Sequence, residues 1–360
     1  MTSLVLPSVE TLMPYEGGKP IEELARELGV TEAIKLASNE NPLGPSPKAL
    51  AAVRERAGEI HLYPDGSAYR LREALAAFHG VGQAEVLHGN GSNELLDLVV
   101  RTFATPSHHV VFAEPAFVVY RIAALSAGVP FTAVPLRELT HDLEAMTAAV
   151  RPNTRVLFVA NPNNPTGTHV GRHAVERLLR EVPPEVIVVM DEAYLEYADA
   201  ADFPDSLALR NLRERLIVTR TFSKIYGLAG LRVGYAVGPA ALVDYMNRVR
   251  APFNVSVLAQ AAAIAALSDR EHVERSRLHN ARERARVSSA LRQLGLTVAP
   301  SQANFVLVDL GRPARPVYDA LLRRGVIVRP FGNLPTSLRI TIGTERENGR
   351  LIDSLSEVLS

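Results

Sequence analysis

The segment TFSKIYGLAGLRVGY (221–235) places Lys224 just after the apolar run LIVT (216–219), behind the small hydroxyl residues Thr221 and Ser223. An amine held in a partly apolar site loses its proton readily, because desolvation disfavours the charged form. The neutral amine is the form that attacks a carbonyl carbon. Eight residues on, Arg232 adds a fixed positive charge within a glycine-rich stretch, suited to an anionic group. Taken singly, a surface lysine and a structural arginine explain these residues equally well, so neighbouring motifs must decide.

Three such motifs follow predicted strands. NPNNPTG (161–167) comes after RVLFVA (155–160), where the amide of Asn164 could reach into a crevice as a donor, although Asn, Pro and Gly also make ordinary turns. DEAYLEY (191–197) comes after VIVVM (186–190). A carboxylate at the end of a buried strand is costly unless paired, so Asp191 is predicted to face a cation; a helix N-cap is a simpler alternative compatible with it. GNGSNELLDLVV (89–100) sets Gly89 and Gly91 before a helix, whose first N–H groups, on Ser92, Asn93 and Glu94, make a phosphate cradle. Glu94 and Leu95 break both the P-loop and the dinucleotide fingerprint, which disfavours a nucleotide. A reactive amine, an arginine, a carboxylate seeking a cation, a phosphate cradle, and Asn164 and Tyr194 as donors together suit pyridoxal phosphate: its aldehyde, ring nitrogen, phenolic oxygen and phosphate each need one of them.

The elements that must position these groups alternate in type. VVFA (110–113), RVLFVA, VIVVM and LIVT are short β-branched runs, with amphipathic stretches such as HAVERLLREV (173–182) between them. That alternation predicts a mostly parallel sheet covered by helices, with ligands at the carboxyl ends of the strands. Near residue 250 the pattern changes. Residues 258–294 read as one long or broken helix, followed by FVLVDL (305–310), a helix around 316–324, VIVRP (326–330), LRITIG (338–343) and a helix at 345–359. The division expected is an N-terminal arm with part of a small domain (1–40), a large cofactor-binding domain (41–255) and a small C-terminal α+β domain (256–360).

Composition narrows the function classes. The 360 residues hold 39 Lys+Arg and 39 Asp+Glu, a zero net charge that argues against nucleic-acid binding. The Arg-rich run at 275–292 reads as a solvated helix face. With no cysteine, a disulfide scaffold, a cysteine nucleophile and the usual zinc sites are excluded. No basic segment followed by an apolar run opens the chain, and apolar runs such as AQAAAIAAL (259–267) fall short of the ~20 residues a membrane span needs, so a cytoplasmic, non-membrane protein is expected. His169 and His173 have no third ligand nearby, and no metal is expected.

PYEGGKPIEEL, LASNENPLGPSP, YPDG (63–66), NGSNELL, EPAFVVY, NPNNPTG, DEAYLEY, TFSKIYGLAGLRVGY, SQANF and LRITIGT occur in this order over more than 300 residues. In this the chain resembles the fold-type I pyridoxal-phosphate aminotransferases, most closely the branch acting on histidinol phosphate. The resemblance implies an α/β fold with a mostly parallel seven-stranded sheet between helices, plus a smaller α+β domain. It implies that Lys224 links covalently to the cofactor and then moves the proton, that Asp191 pairs with the ring nitrogen, and that Asn164 and Tyr194 hydrogen-bond the phenolic oxygen. Arg232, Ser223, Thr221, Ser92 and Asn93 would hold the phosphate, and Phe117, where many relatives carry Tyr, would stack on the ring. Tyr63 matches a tyrosine that reaches the neighbouring subunit's cofactor phosphate, implying a homodimer with shared active sites. Arg339 matches the arginine that takes the substrate α-carboxylate; Arg329 and Tyr15 match positions at the substrate's distal end, and Asn41 and Asn304 are expected to line the same pocket. The implied reaction passes an amino group from L-histidinol phosphate to 2-oxoglutarate, an amino donor and a 2-oxo acid acceptor. An aromatic amino-acid aminotransferase and a threonine-phosphate decarboxylase-like lyase are the alternatives.

Overall fold

The computed structural model describes residues 4–5, 7–10, 12–14, 17–30 and 32–360. Among these, strands follow in chain order as β1 (Ile34–Lys35), β2 (Val86–Gly89), β3 (His109–Glu114), β4 (Phe131–Pro135), β5 (Thr154–Ala160), β6 (Ile187–Asp191), β7 (Leu216–Thr221), β8 (Gly234–Val237), β9 (Thr297–Val298), β10 (Phe305–Asp309), β11 (Val326–Ile327), β12 (Arg329–Phe331) and β13 (Leu334–Thr341). Seven of them form one sheet in the order β2-β8-β7-β6-β5-β3-β4. The ladders from β7 through β4 are parallel, and β8 is antiparallel to both of its neighbours. The mostly parallel sheet expected from the alternation of elements is therefore present.

Both faces of this sheet are covered, which explains the unbroken apolar runs in its central strands. Along β5, Val156 and Phe158 enter one core while Leu157 and Val159 enter the other. In β6, Ile187 and Val189 oppose Val188 and Met190 in the same way. A strand with period-two side chains and a core on each side has no solvent face to mark with polar residues. Asp191 is the last residue of β6, Asn164 lies four residues beyond β5 and Lys224 three beyond β7, so all three stand at carboxyl ends.

A second, antiparallel sheet runs β12-β13-β10-β9, and β1 pairs in parallel with β11. Its core takes Leu24, Leu36 and Ala37 from the N-terminal segment together with Val306, Val308, Leu338 and Ile340. Residues 258–294 are two helices, Val257–Leu267 and Arg270–Gln293. Asp269 separates them by capping the second, its side chain accepting from the His272 N–H. Ala259, Ala262, Ala263 and Ala266 of the first helix join a core of the large sheet, and that helix packs on Pro47–Arg56 and Tyr69–His79. Among the described residues, no helix is long and apolar enough to cross a membrane.

Candidate active site

A cavity of about 540 Å³ opens at the carboxyl ends of β5, β6 and β7. Its lining brings together Ser92, Asn93, Phe117, Asn164, Asp191, Tyr194, Thr221, Ser223, Lys224, Arg232 and Arg339, residues spread over some 250 positions of sequence.

Lys224 extends from the turn after β7, and its Nζ donates to the Ser38 carbonyl at 3.2 Å. The turn closes with the Gly227 N–H donating to the Lys224 carbonyl. Gly227 has φ +69°, and a Cβ there would lie 2.2 Å from the Gly44 carbonyl oxygen, so only glycine lets this turn pack on the NPLG loop. Desolvation, with Arg339 and Arg232 nearby, brings the Lys224 amine down to about 7 against the opposing pull of Glu40 and Asp191. Near neutral pH a large share of it is the nucleophilic, uncharged form.

Asp191 is buried, and each of its oxygens accepts a hydrogen bond: Oδ2 from the Tyr120 hydroxyl at 2.8 Å and Oδ1 from the Thr219 hydroxyl at 3.1 Å. Burial pushes its carboxyl up to about 6, and the two hydroxyls pull the other way. The side chain caps no helix. Glu192 points to the opposite face of the sheet, where it forms a buried ion pair with Arg220 and accepts from the Ser206 N–H. Neither Tyr120 nor Thr219 stands out in the sequence, because they lie on different elements about a hundred positions apart, and only the fold brings both hydroxyls to one carboxylate.

At the other end of the cavity, the helix Gly91–Phe103 presents its N-terminus to Arg232, whose guanidinium also donates to Ser223 Oγ at 3.4 Å. A Cβ on Gly91, where φ is +73°, would come within 2.5 Å of Arg232 Nη2. The missing side chain leaves room for the guanidinium beside N–H groups that have no intrahelical acceptor, which is a built anion site.

Arg339, on β13, is buried and reaches across to the large sheet's loops. Nη1 donates to Asn164 Oδ1 and Nη2 to the Ala37 carbonyl, both at 2.6 Å. The Tyr194 hydroxyl accepts from Asn39 Nδ2 at 2.9 Å, and Asn304 Nδ2 donates to the Asn39 carbonyl at 3.0 Å. Asn39 is a cavity residue that motif reading passes over, because its partners lie more than 150 positions away.

Four expected residues stand apart. Asn41 does not line the cavity: its amide donates to the Ile225 carbonyl and Ser276 Oγ and accepts from the Leu43 N–H, so its polar atoms pin loops together. Asn304 also lies outside the lining and reaches it through the carbonyls of Asn39 and Glu40, to which its Nδ2 donates. Tyr63 is 83% exposed and stacks on Phe253, 4.7 Å between ring centres, away from its own chain's cavity. Arg329, half-buried beyond the rim, donates to the Gly17 carbonyl. Tyr15 lies outside the described residues.

An amine of lowered basicity, a buried carboxylate with room for a cationic partner, an amide and a phenol between them, and an arginine at a helix N-terminus fit pyridoxal phosphate group for group. The anion site left open by the absent Gly91 side chain suits its phosphate.

Fold and site together define an aminotransferase. The family model for aminotransferase class I and II matches residues 31–355, and the chain belongs to that family, within it to the histidinol-phosphate aminotransferases. It is 52% identical to histidinol-phosphate aminotransferase 2 of Pseudomonas aeruginosa, over 99% of this chain and 98% of the relative. Identity to histidinol-phosphate aminotransferase of Moorella thermoacetica is 51%, over 98% and 92% of the two chains. The crystal structure of histidinol-phosphate aminotransferase from Sinorhizobium meliloti in complex with pyridoxal 5'-phosphate superposes with a TM-score of 0.92 at 32% identity, covering 100% of this chain and 98% of that one.

Proposed function

We propose that this chain is a pyridoxal-phosphate-dependent aminotransferase that passes the amino group of L-histidinol phosphate to 2-oxoglutarate, giving imidazole-acetol phosphate and L-glutamate, a step of histidine biosynthesis. The observation that carries this is the meeting in one cavity of Lys224, Asp191 and Arg339. When bound, the cofactor supplies an aldehyde carbon and an electron-accepting ring.

The protein's own residues do the rest. Lys224 Nζ would hold the cofactor covalently, and as a free neutral amine it would take the proton from the substrate carbon and return it one position along. Asp191, held ionised by the Tyr120 and Thr219 hydroxyls, keeps a proton on the ring nitrogen. Asn164 and Tyr194 donate to the phenolic oxygen. Arg232, Ser223, Thr221 and the N–H groups of Ser92 and Asn93 hold the phosphate, while Phe117 packs on the ring. Arg339 takes the α-carboxylate of glutamate. Histidinol phosphate carries a phosphorylated methylene where glutamate carries that carboxylate, so its larger dianion extends past Arg339 towards Arg329.

The exposed Tyr63–Phe253 pair suits burial by a second copy of the chain, and we assign Tyr63 to the partner's cofactor phosphate in a homodimer. The boundary between large and small domains belongs near Asp269, because the preceding helix shares the large core. A cytoplasmic location is part of the same reading.

Adding glutamate to the holoprotein tests the reaction class: a transferase loses the tethered cofactor's absorbance in a half-reaction, whereas a lyase releases carbon dioxide and keeps it. The specificity constant for histidinol phosphate should then exceed that for phenylalanine; the reverse order would favour the aromatic aminotransferase.

A further inference from the structure

Asn39 is 1% exposed on the cavity wall and has φ +55°, a conformation that costs energy for a residue with a Cβ. Such strain persists where surrounding contacts over-determine it. The Asn39 N–H donates to Thr341 Oγ1 at 2.9 Å, and the Thr341 hydroxyl donates back to Asn39 Oδ1 at 3.0 Å. Asn304 Nδ2 donates to the Asn39 carbonyl, and Asn39 Nδ2 donates to the Tyr194 oxygen at 2.9 Å.

The exchange with Thr341 decides which way the amide faces. Thr341 Oγ1 already accepts a hydrogen bond, so its own proton needs an acceptor. The atom beside it is therefore Oδ1, which leaves the NH2 group beside Tyr194. An amide NH2 only donates. The Tyr194 oxygen must accept there, and its own proton is directed to a different acceptor.

We propose that Asn39 is a positioning residue: it fixes the direction in which the Tyr194 hydroxyl donates, and ties that direction to β13, the strand that carries Arg339 two residues before Thr341. The inference rests on the reading above in which Tyr194 donates to the cofactor's phenolic oxygen. A tyrosine turned the wrong way would keep its place in the cavity and lose that bond.

Four holoenzymes test it: the parent, Asn39→Gly, Tyr194→Phe and the double variant. Glycine accepts φ +55° without strain, so the amide is removed without forcing the loop to rearrange. The measurements are kcat, KM for the amino donor, and the pH midpoint of the bound cofactor's absorbance change without substrate. Y194F alone checks the underlying reading. Losing a donor to an oxygen anion should raise the midpoint and lower kcat, and no change in either would refute the Tyr194 assignment itself.

With that effect in hand, N39G should shift the midpoint in the same direction and lower kcat about tenfold. KM should stay within about twofold, because the bond matters after substrate is bound. In the Y194F background N39G should add almost nothing to either quantity. Equal losses in both backgrounds would overturn the proposal and leave Asn39 a packing residue. Asn39→Asp keeps the shape but replaces the NH2 donor with an acceptor that draws in the Tyr194 proton, so it should be at least as damaging as glycine; a fully active, well-folded N39D would also overturn it. Thr341→Val frees the amide to turn over and should shift the midpoint in the direction of N39G by a smaller amount. An unshifted midpoint there would break the tie to β13.

Discussion

Arg329 on β12 and Arg339 on β13 stand directly opposite each other across an antiparallel ladder, with the Phe331 ring 5.9 Å from one guanidinium and 5.5 Å from the other. Like charges placed opposite one another on a sheet destabilise it, so the pairing needs a return elsewhere. On the function proposed above, an anion larger than one carboxylate would supply it.

Arg329→Ala should therefore lower kcat/KM for histidinol phosphate by about tenfold to a hundredfold, while phenylalanine loses far less. Arg339→Ala should damage both, together with the reaction of 2-oxoglutarate, because the proposed site brings every substrate anion to that residue. Steady-state kinetics on the three substrates checks the pattern. Equal losses from R329A on phosphorylated and phosphate-free donors would remove the reason for assigning Arg329 to the phosphate.

Lys224 makes the cofactor-free protein pH-dependent in two ways. Its neutral form predominates above about 7, so the rate of cofactor capture should rise as pH increases through that value. The same shift bears on stability. Between about 7 and the ordinary 10.5 the unfolded chain binds a proton that the folded chain does not, so the penalty for burying this amine is full below 7 and disappears as pH rises across the window. Asp191 acts in the opposite sense: raised from 3.8 to about 6, it favours the folded chain at acid pH and loses that contribution as pH rises between those values. Lys224→Met should accordingly raise the melting temperature of cofactor-free protein at pH 7 by about a few degrees, and the gain should shrink towards about pH 10. Calorimetry at the two pH values reads it directly. Borohydride reduction of the holoprotein should leave the peptide containing Lys224 labelled, and K224M unlabelled.

Much of this arrangement is legible in the chain, and the parts that are not share a cause. Strands β3, β5, β6 and β7 announce themselves because burial on both faces demands unbroken apolar runs, and the residues at or just beyond the ends of β5, β6 and β7 (Asn164, Asp191 and Lys224) line the cavity. Strands β2, β4 and β8 are short and sit inside segments with glycine, proline or histidine, where the apolar signal is diluted. Asp191, Lys224 and Asn164 are each local to one strand end, so spacing along the sequence locates them. Asn39 and Asn41 belong to one motif, two residues apart, yet one faces Tyr194 and the other ties Ile225 to Ser276. Which asparagine does which depends on the seat of β13, some 300 residues later, and nothing in the local pattern encodes that.

Tyr120 illustrates the same limit and yields a prediction. It is buried, stacked on Phe158 at 4.9 Å, and its own proton is held tightly because burial and the neighbouring Asp191 charge push its pKa well above the ordinary phenol range. Tyr120→Phe keeps the stack and removes a donor from Asp191. The Asp191 carboxyl, already at about 6, should then titrate about one unit higher. A more basic Asp191 is protonated over more of the neutral range, so kcat should fall more at pH 6 than at pH 8. Carboxyl 13C NMR of cofactor-free protein, with Asp191→Asn to assign the resonance, measures the shift. A titration identical to that of the parent would show that the hydroxyl does not influence this carboxylate.

The assignment of Tyr63 to the partner's site can be tested by subunit mixing. Tyr63→Ala should weaken cofactor affinity by about tenfold, as expected for one hydrogen bond to a charged phosphate. Lys224→Ala abolishes the tether in its own chain. When the two variants are refolded or exchanged together, half of the dimers should be hybrids. In a hybrid, one site combines the altered Lys224 chain with the altered Tyr63 of its neighbour and fails on both counts; the other combines an intact Lys224 with an intact Tyr63. About one quarter of all sites should then bind cofactor with the parent's affinity, although neither variant alone supplies any such site. Cofactor titration by absorbance resolves this as a tight fraction appearing only on mixing. If Tyr63 served its own chain's site, every site with an intact lysine would still carry the altered tyrosine, and no tight fraction would appear.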